Sequence, residues 1–180
     1  KFPKNAEVFH FKAYAYLQSQ NLDKAKENFE KAISISPGDC NIVLDYSNFL
    51  NSIGKKRLSL QQISNLTKNN KADYRLFYLE GCIHMDLKNY EDSIKSFKNV
   101  LQIKPDHKDA SFNLGVIHFE TKKYDVAEKI FDTYLKSFGK DIEAHRYLLQ
   151  IFLITNQINK ADALSSMLCV NYPNEAFLLY

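Results

Sequence analysis

"NLDKAKENFEKAISISP" (Asn21–Pro37) and "NYEDSIKSFKNVLQIKP" (Asn89–Pro105) are two versions of one phrase, and their separation decides the fold. Phe29, Ile35 and Pro37 of the first return as Phe97, Ile103 and Pro105 of the second. Sliding the chain against itself by half that separation, so that Ala6 falls on Cys40, aligns its whole length, as a repeat array would. Taking Ala6 as the first position, a small residue recurs at Ala25, Ser59, Ser93, Ala127 and Ala161. Four residues later stands a bulky one, at Phe29, Ile63, Phe97 and Phe131, until Ser165 departs from the rule. Earlier in each repeat another small residue recurs at Ala13, Ser47, Gly81 and Gly115, and Leu149 replaces it in the last copy. The closing breaker is Pro37, Pro105, Gly139 or Pro173, with Lys71 in its place in the second copy.

Each repeat holds two segments with apolar residues at helical spacing, in the first copy Val8, Phe9, Ala13 and Tyr16, then Leu22, Ala25, Phe29 and Ala32. Small residues at fixed places let two helices approach closely, and the bulky residues fill the space beside them. The prolines cannot continue a helix interior and mark the turn into the next copy. Composition agrees. The 180 residues are 45% hydrophobic and 25% charged, with five glycines and four prolines, too few for a many-turned β protein. Cys40, Cys82 and Cys169 are odd in number and form no close pair, so neither a disulfide framework nor a zinc site is expected. No apolar run reaches the length of a membrane span, the longest including Ile151–Ile154. There is no signal peptide, but the chain begins at Lys1 without an initiator Met, as an excised piece or a processed product would, so the missing signal does not fix its location.

The pattern resembles the tetratricopeptide repeat (TPR), most clearly over "FYLEGCIHMDLKNYEDSIKSFKNVLQIKP" (Phe77–Pro105) and "FNLGVIHFETKKYDVAEKIF" (Phe112–Phe131). The resemblance implies an all-α, right-handed superhelical solenoid of antiparallel helix pairs. It forms a single domain over residues 1–180, with repeats at 6–39, 40–73, 74–107, 108–141 and 142–175. The second repeat is degenerate, with Leu60, Ile63 and Leu66 in a polar, Asn-rich context. In the fifth, Leu149 implies that its two helices pack differently. Residues 176–180 ("AFLLY") read as the start of a further or capping helix that packs on the fifth repeat. Its apolar character predicts a longer native chain, or a cover supplied by a partner or by self-association through the C-terminal end.

Nothing assembles into an active site: there is no Gly-rich phosphate loop, HExxH or GxSxG, so no enzyme activity and no cofactor is expected. His84 and His118 stand at the same place in successive repeats, which invites a metal argument. Both occupy a position filled elsewhere by Tyr16, Leu50 and Phe152, so packing is the expected role and no metal is assigned. The Lys-rich stretches fall at turns and second-helix starts, where solvated charge explains them, and the net charge of +3 is mild. Nucleic acid is not an expected partner.

In the TPR family the first helices of successive repeats line a concave groove. Carried onto this sequence, those positions hold six acidic residues (Glu7, Asp45, Asp86, Asp109, Glu120, Glu143) against two basic ones (Arg75, Arg146). The expected partner-binding set is Tyr14, Asn48, Tyr78, Asp109, Phe112, Asn113, Phe119, Glu143, Arg146 and Tyr147. The aromatics are anchors of the kind that dominate binding hot spots, the asparagines suit a peptide backbone, and Asp109 and Glu143 would read basic side chains. The competing role for each ring is packing between neighbouring helices. The Lys/Asn clamp that TPR co-chaperones use for acidic C-termini is absent: His10 and Tyr14, Leu44 and Asn48, or Tyr78 and Cys82 stand where it would begin.

The resemblance thus implies a non-enzymatic scaffold that binds a protein or peptide segment with apolar and basic residues and helps assemble a larger complex. Two other readings stand beside it. One is the substrate-selecting portion of a larger enzyme such as a transferase. The other is a bacterial envelope assembly lipoprotein: "YLQSQNLDKAKENFEKAISISPGD" and the Tyr124–Tyr180 tail are similar to TPR lipoproteins that pilot secretin assembly in type IV pilus systems. The location would be cytoplasmic in the first cases and periplasmic in the last.

Overall fold

A computed structural model describes residues 5–68 and 73–171. Lys71, Pro173 and the "AFLLY" segment lie outside these residues. Among them there are ten helices and no strand. The first helices of the repeats are α1 (Ala6–Gln18), α3 (Cys40–Ser52), α5 (Tyr74–Asp86), α7 (Lys108–Glu120) and α9 (Ile142–Ile154). The second helices are α2 (Leu22–Ile35), α4 (Lys56–Thr67), α6 (Tyr90–Ile103), α8 (Tyr124–Phe138) and α10 (Ile158–Asn171). The chain folds into two compact bodies, Lys1–Asn99 and Val100–Tyr180. Within each, paired helices pack on one another and on the first helix of the following pair, giving the all-α solenoid arrangement expected from the sequence.

Local chemistry sets the helix boundaries with the same period. The first helices are capped by Asn5, Asp39, Asp73, His107 and Asp141, at one equivalent position in every repeat, each side chain accepting from a backbone N–H of the first turn. The turn inside each pair places one residue in the left-handed region: Gln20 (φ 57°), Gly54 (76°), Lys88 (59°), Lys122 (59°) and Asn156 (57°). The next N–H reaches back to a carbonyl five residues earlier, as from Lys123 to His118 (2.8 Å), closing the first helix in the Schellman manner. Only the second pair uses glycine where the backbone favours it.

The core of each pair is a small residue facing a large one. A Cβ added to Gly81 would lie 2.7 Å from the Phe97 ring, and one added to Gly115 would lie 2.7 Å from the Phe131 ring. Phe29, Phe97 and Phe131 are fully buried, as are Ala25, Ser59, Ser93 and Ala127 beside them. Two of these small residues also bond across the pair: Ser59 Oγ donates to the Ser47 carbonyl (2.8 Å) and Ser93 Oγ to the Gly81 carbonyl (2.7 Å). In the last pair the order of sizes is reversed, with Leu149 buried on the first helix and Ser165 half-buried on the second.

Two outcomes follow for stability. Gly115→Ala should gain about 1 kcal/mol of helix propensity and lose more to overpacking, for a net loss of about 1–2 kcal/mol in urea unfolding; a stabilised variant would contradict the close approach. Lys122→Gly, at an exposed left-handed turn, should raise stability by about 1 kcal/mol in the same measurement.

Candidate functional site

The spacing of residues along two helices builds a surface site in the second body. On α7, Phe112 and Phe119 stand two turns apart; on α9, Glu143, Arg146, Tyr147 and Gln150 share one face by their three- and four-residue spacing. Phe119, Glu120, Glu143, Arg146, Tyr147 and Gln150 together line a pocket of about 180 Å³. Four of the expected partner-binding residues, Phe119, Glu143, Arg146 and Tyr147, are therefore neighbours in space.

Tyr147 is the hub of this site. Its ring stacks on the buried Phe131 ring (centroids 5.1 Å apart, planes within 9°) and meets Phe119 edge to face at 5.1 Å. Phe112 also meets the Tyr147 ring (5.9 Å) and rests on Phe131 and Tyr134. Aromatic edge-to-face pairs hold such rings in fixed orientation. Phe112, Phe119 and Tyr147 thus pack between helices, the competing role weighed from the sequence, and each remains half-buried. Burial raises the Tyr147 phenol above its ordinary pKa, and the nearby Glu120 and Glu143 carboxylates push it further the same way.

Ion pairing narrows the acidic character expected at the first-helix positions. Several of the six carboxylates at the expected groove positions are already engaged: Asp45 with His10 (2.8 Å), Asp86 with Lys56 (2.8 Å) and Glu143 with Arg146 (2.9 Å). Arg75 is likewise occupied, by Asp73 and Asn41. Among the described residues, Glu7, Asp109 and Glu120 keep carboxylates without a basic partner. Of these Glu120 lines the pocket, so its charge is the one a ligand there would meet.

The other expected residues are placed elsewhere. Asp109 is exposed and Asn113 half-buried on α7, outside the pocket lining. Tyr14, Asn48 and Tyr78 belong to the first body. There Tyr14 meets Phe29 edge-on (6.1 Å), burial and the Asp45 carboxylate raise its phenol pKa, and Asn48 is exposed on α3. Tyr78 is half-buried against Phe97 at 5.8 Å. Glu120 and Gln150 are groove positions by the same register but stand outside the expected set. His84 and His118 are half-buried, and no group of three metal-ligating side chains occurs among the described residues.

One supporting contact left no motif in the sequence. Tyr134 Oη on α8 donates to Asp141 (2.6 Å), the residue that caps α9, and Lys108 Nζ from α7 reaches the same carboxylate (3.2 Å). The entry of α9, and with it Glu143, Arg146 and Tyr147, is thereby tied to both preceding helices. Burial, then the Asp141 contact, pushes the Tyr134 phenol up to about 12. Burial alone would raise the Asp141 carboxyl, but donation from Tyr134, the Ala144 N–H and Lys108 outweighs it and holds the group below its ordinary value. A carboxyl depressed in the folded state stabilises fully above its unfolded pKa, and that contribution is lost as pH falls through the folded value. Tyr134→Phe should therefore cost about 1 kcal/mol at neutral pH, with the deficit narrowing below about pH 4, measured by urea unfolding across that range.

Two family models of the tetratricopeptide repeat match the chain, over residues 6–39 and 84–151, together more than half of its length. Among solved structures, MamA protein superposes with a TM-score of 0.84 at 12% identity, covering 95% of this chain and 93% of that one. A tetratricopeptide repeat protein from Parabacteroides merdae ATCC 43184 gives 0.83 at 17% identity, covering 97% and 69%. PilW, a widely conserved type IV pilus biogenesis factor, gives 0.75 at 19% identity, covering 96% and 80%. At these identities the likeness is one of fold. No curated protein matches the chain.

Proposed function

Since the chain belongs to the tetratricopeptide repeat proteins, which are in general interaction scaffolds, we propose that it binds a protein segment against the first-helix face around Tyr147. That segment presents an apolar anchor and a basic residue. The single observation that carries this reading is the pocket where Phe119 and Tyr147 meet edge to face beside Glu120, a carboxylate without a basic partner among the described residues. An exposed part of two fixed rings offers apolar contact at little entropic cost, because neither ring must be immobilised on binding. A lysine or arginine of the partner placed there gains both the aromatic faces and the carboxylate. Glu143, held by Arg146, orients rather than attracts. Asp109 and Asn113 extend the same helix face, and Tyr14, Asn48 and Tyr78 offer the corresponding surface of the first body.

By this reading the protein is a non-enzymatic assembly factor. A narrower version is assembly of an envelope complex of the type IV pilus kind, supported by the phrase from Tyr16 to Asp39 and by the fold shared with PilW.

The test is affinity capture from native extract with the whole chain as bait, followed by mass spectrometry and titration of the captured partner. Phe119→Ala with Glu120→Lys should weaken binding at least about tenfold while helicity by circular dichroism is unchanged. Affinity equal to that of the unaltered chain would remove this face from the binding site. Salt should weaken the interaction modestly, as expected for one or two charge contacts.

A further inference from the structure

The first body carries a second, larger cavity of about 390 Å³, between α4, α5 and α6. Its position explains why the pattern fails where the second repeat meets the third. Glu80 occupies the repeat position that holds Tyr46, Leu114 and Leu148 in α3, α7 and α9, all three buried. Thr67 occupies the position that holds Ile33, Leu101 and Leu135 in other second helices. Two bulky side chains are thus replaced together by polar ones. The two replacements face each other, with Thr67 Oγ1 3.5 Å from Glu80 Oε1. The cavity is the volume they leave.

The cavity is also incompletely satisfied. The Glu80 carboxylate is half-buried and accepts from the buried Ser96 hydroxyl at 2.8 Å, but among the described residues it has no basic partner. The His84 Nδ1 is buried in the same lining without a hydrogen-bond partner. A half-buried carboxylate that faces a cavity and has hydroxyl donors but no cation leaves a negative charge that a cationic ligand can complete. Asp92, Lys68 and Lys95 are exposed at the rim, where solvent screens them. Phe77 is the aromatic side chain of the lining other than His84.

We propose that this cavity binds a guanidinium group, seated on Glu80. The planar fork pairs with a carboxylate through two parallel hydrogen bonds. Its flat face suits the Phe77 side of the cavity. The group arrives either as an arginine side chain of a polypeptide or as a small free guanidine. This site is independent of the pocket at Tyr147.

The test is titration of the whole chain with N-acetylarginine methylamide, agmatine and N-acetylcitrulline methylamide, followed by amide and His84 ring nitrogen NMR shifts. The expected result is saturable binding of a guanidinium probe, with shifts at Glu80, His84 and Ser96. The neutral citrulline probe should bind at least about tenfold more weakly, and Glu80→Gln should lose a similar factor. A tighter blocked arginine than agmatine would assign the site to a polypeptide; the reverse would assign it to a free guanidine. Glu80→Gln keeps the side-chain shape, and Glu80→Leu, the residue type of α7 and α9, serves as a second folded variant. No saturable shift at these residues, equal binding of citrulline, or binding untouched in both Glu80 variants would overturn the proposal.

Discussion

The structure depends on how closely two helices of one pair can approach. Phe97 and Phe131 lie against Gly81 and Gly115 at a distance that leaves no room for a β-carbon. That contact removes two of the largest side chains from water, and fully burying a phenylalanine is worth roughly 2–3 kcal/mol. It also fixes the crossing of the pair, since rings packed on bare backbone cannot slide without opening a void. The serines at the neighbouring position add a bond from Ser59 or Ser93 to the facing backbone carbonyl. Four pairs keep the small residue on the first helix and the large one on the second, and the last reverses them.

Once the pairs are set, the first helices present side chains at fixed intervals, and the pocket around Tyr147 is laid out on two of them. Tyr147 shows how the two layers connect. One face of its ring rests on Phe131, the residue that closes the α7–α8 pair, and its edge contacts build the surface pocket. The Tyr134–Asp141 contact ties the start of α9 to the same pair. The orientation of the rings at this surface is therefore inherited from the core, which favours the proposed docking of a partner there by lowering the entropy it would cost.

The second repeat has a different relation to the pattern. Beside it lies a polar cavity, where Thr67 of the second repeat and Glu80 of the third take positions held by bulkier apolar side chains in several other repeats. A departure from a repeat costs packing, and this one places a carboxylate without a cationic partner at the cavity.

The all-α class, the repeat period, the small and large positions and the turns could be read from the chain alone, because the same local choices repeat and reinforce one another. The helix caps at Asp39, Asp73 and Asp141 repeat as regularly, and their signal is the acidic residue one place before each first helix. Of the expected binding residues, the register located Phe119, Glu143, Arg146 and Tyr147 on one face. What it could not decide was which carboxylates still lack a partner. That depends on side chains distant in sequence meeting in space, as His10 meets Asp45 and Lys56 meets Asp86. The ring cluster around Tyr147 and the cavity at Glu80 are likewise products of tertiary packing, since a pocket is the space between elements and no single segment encodes it.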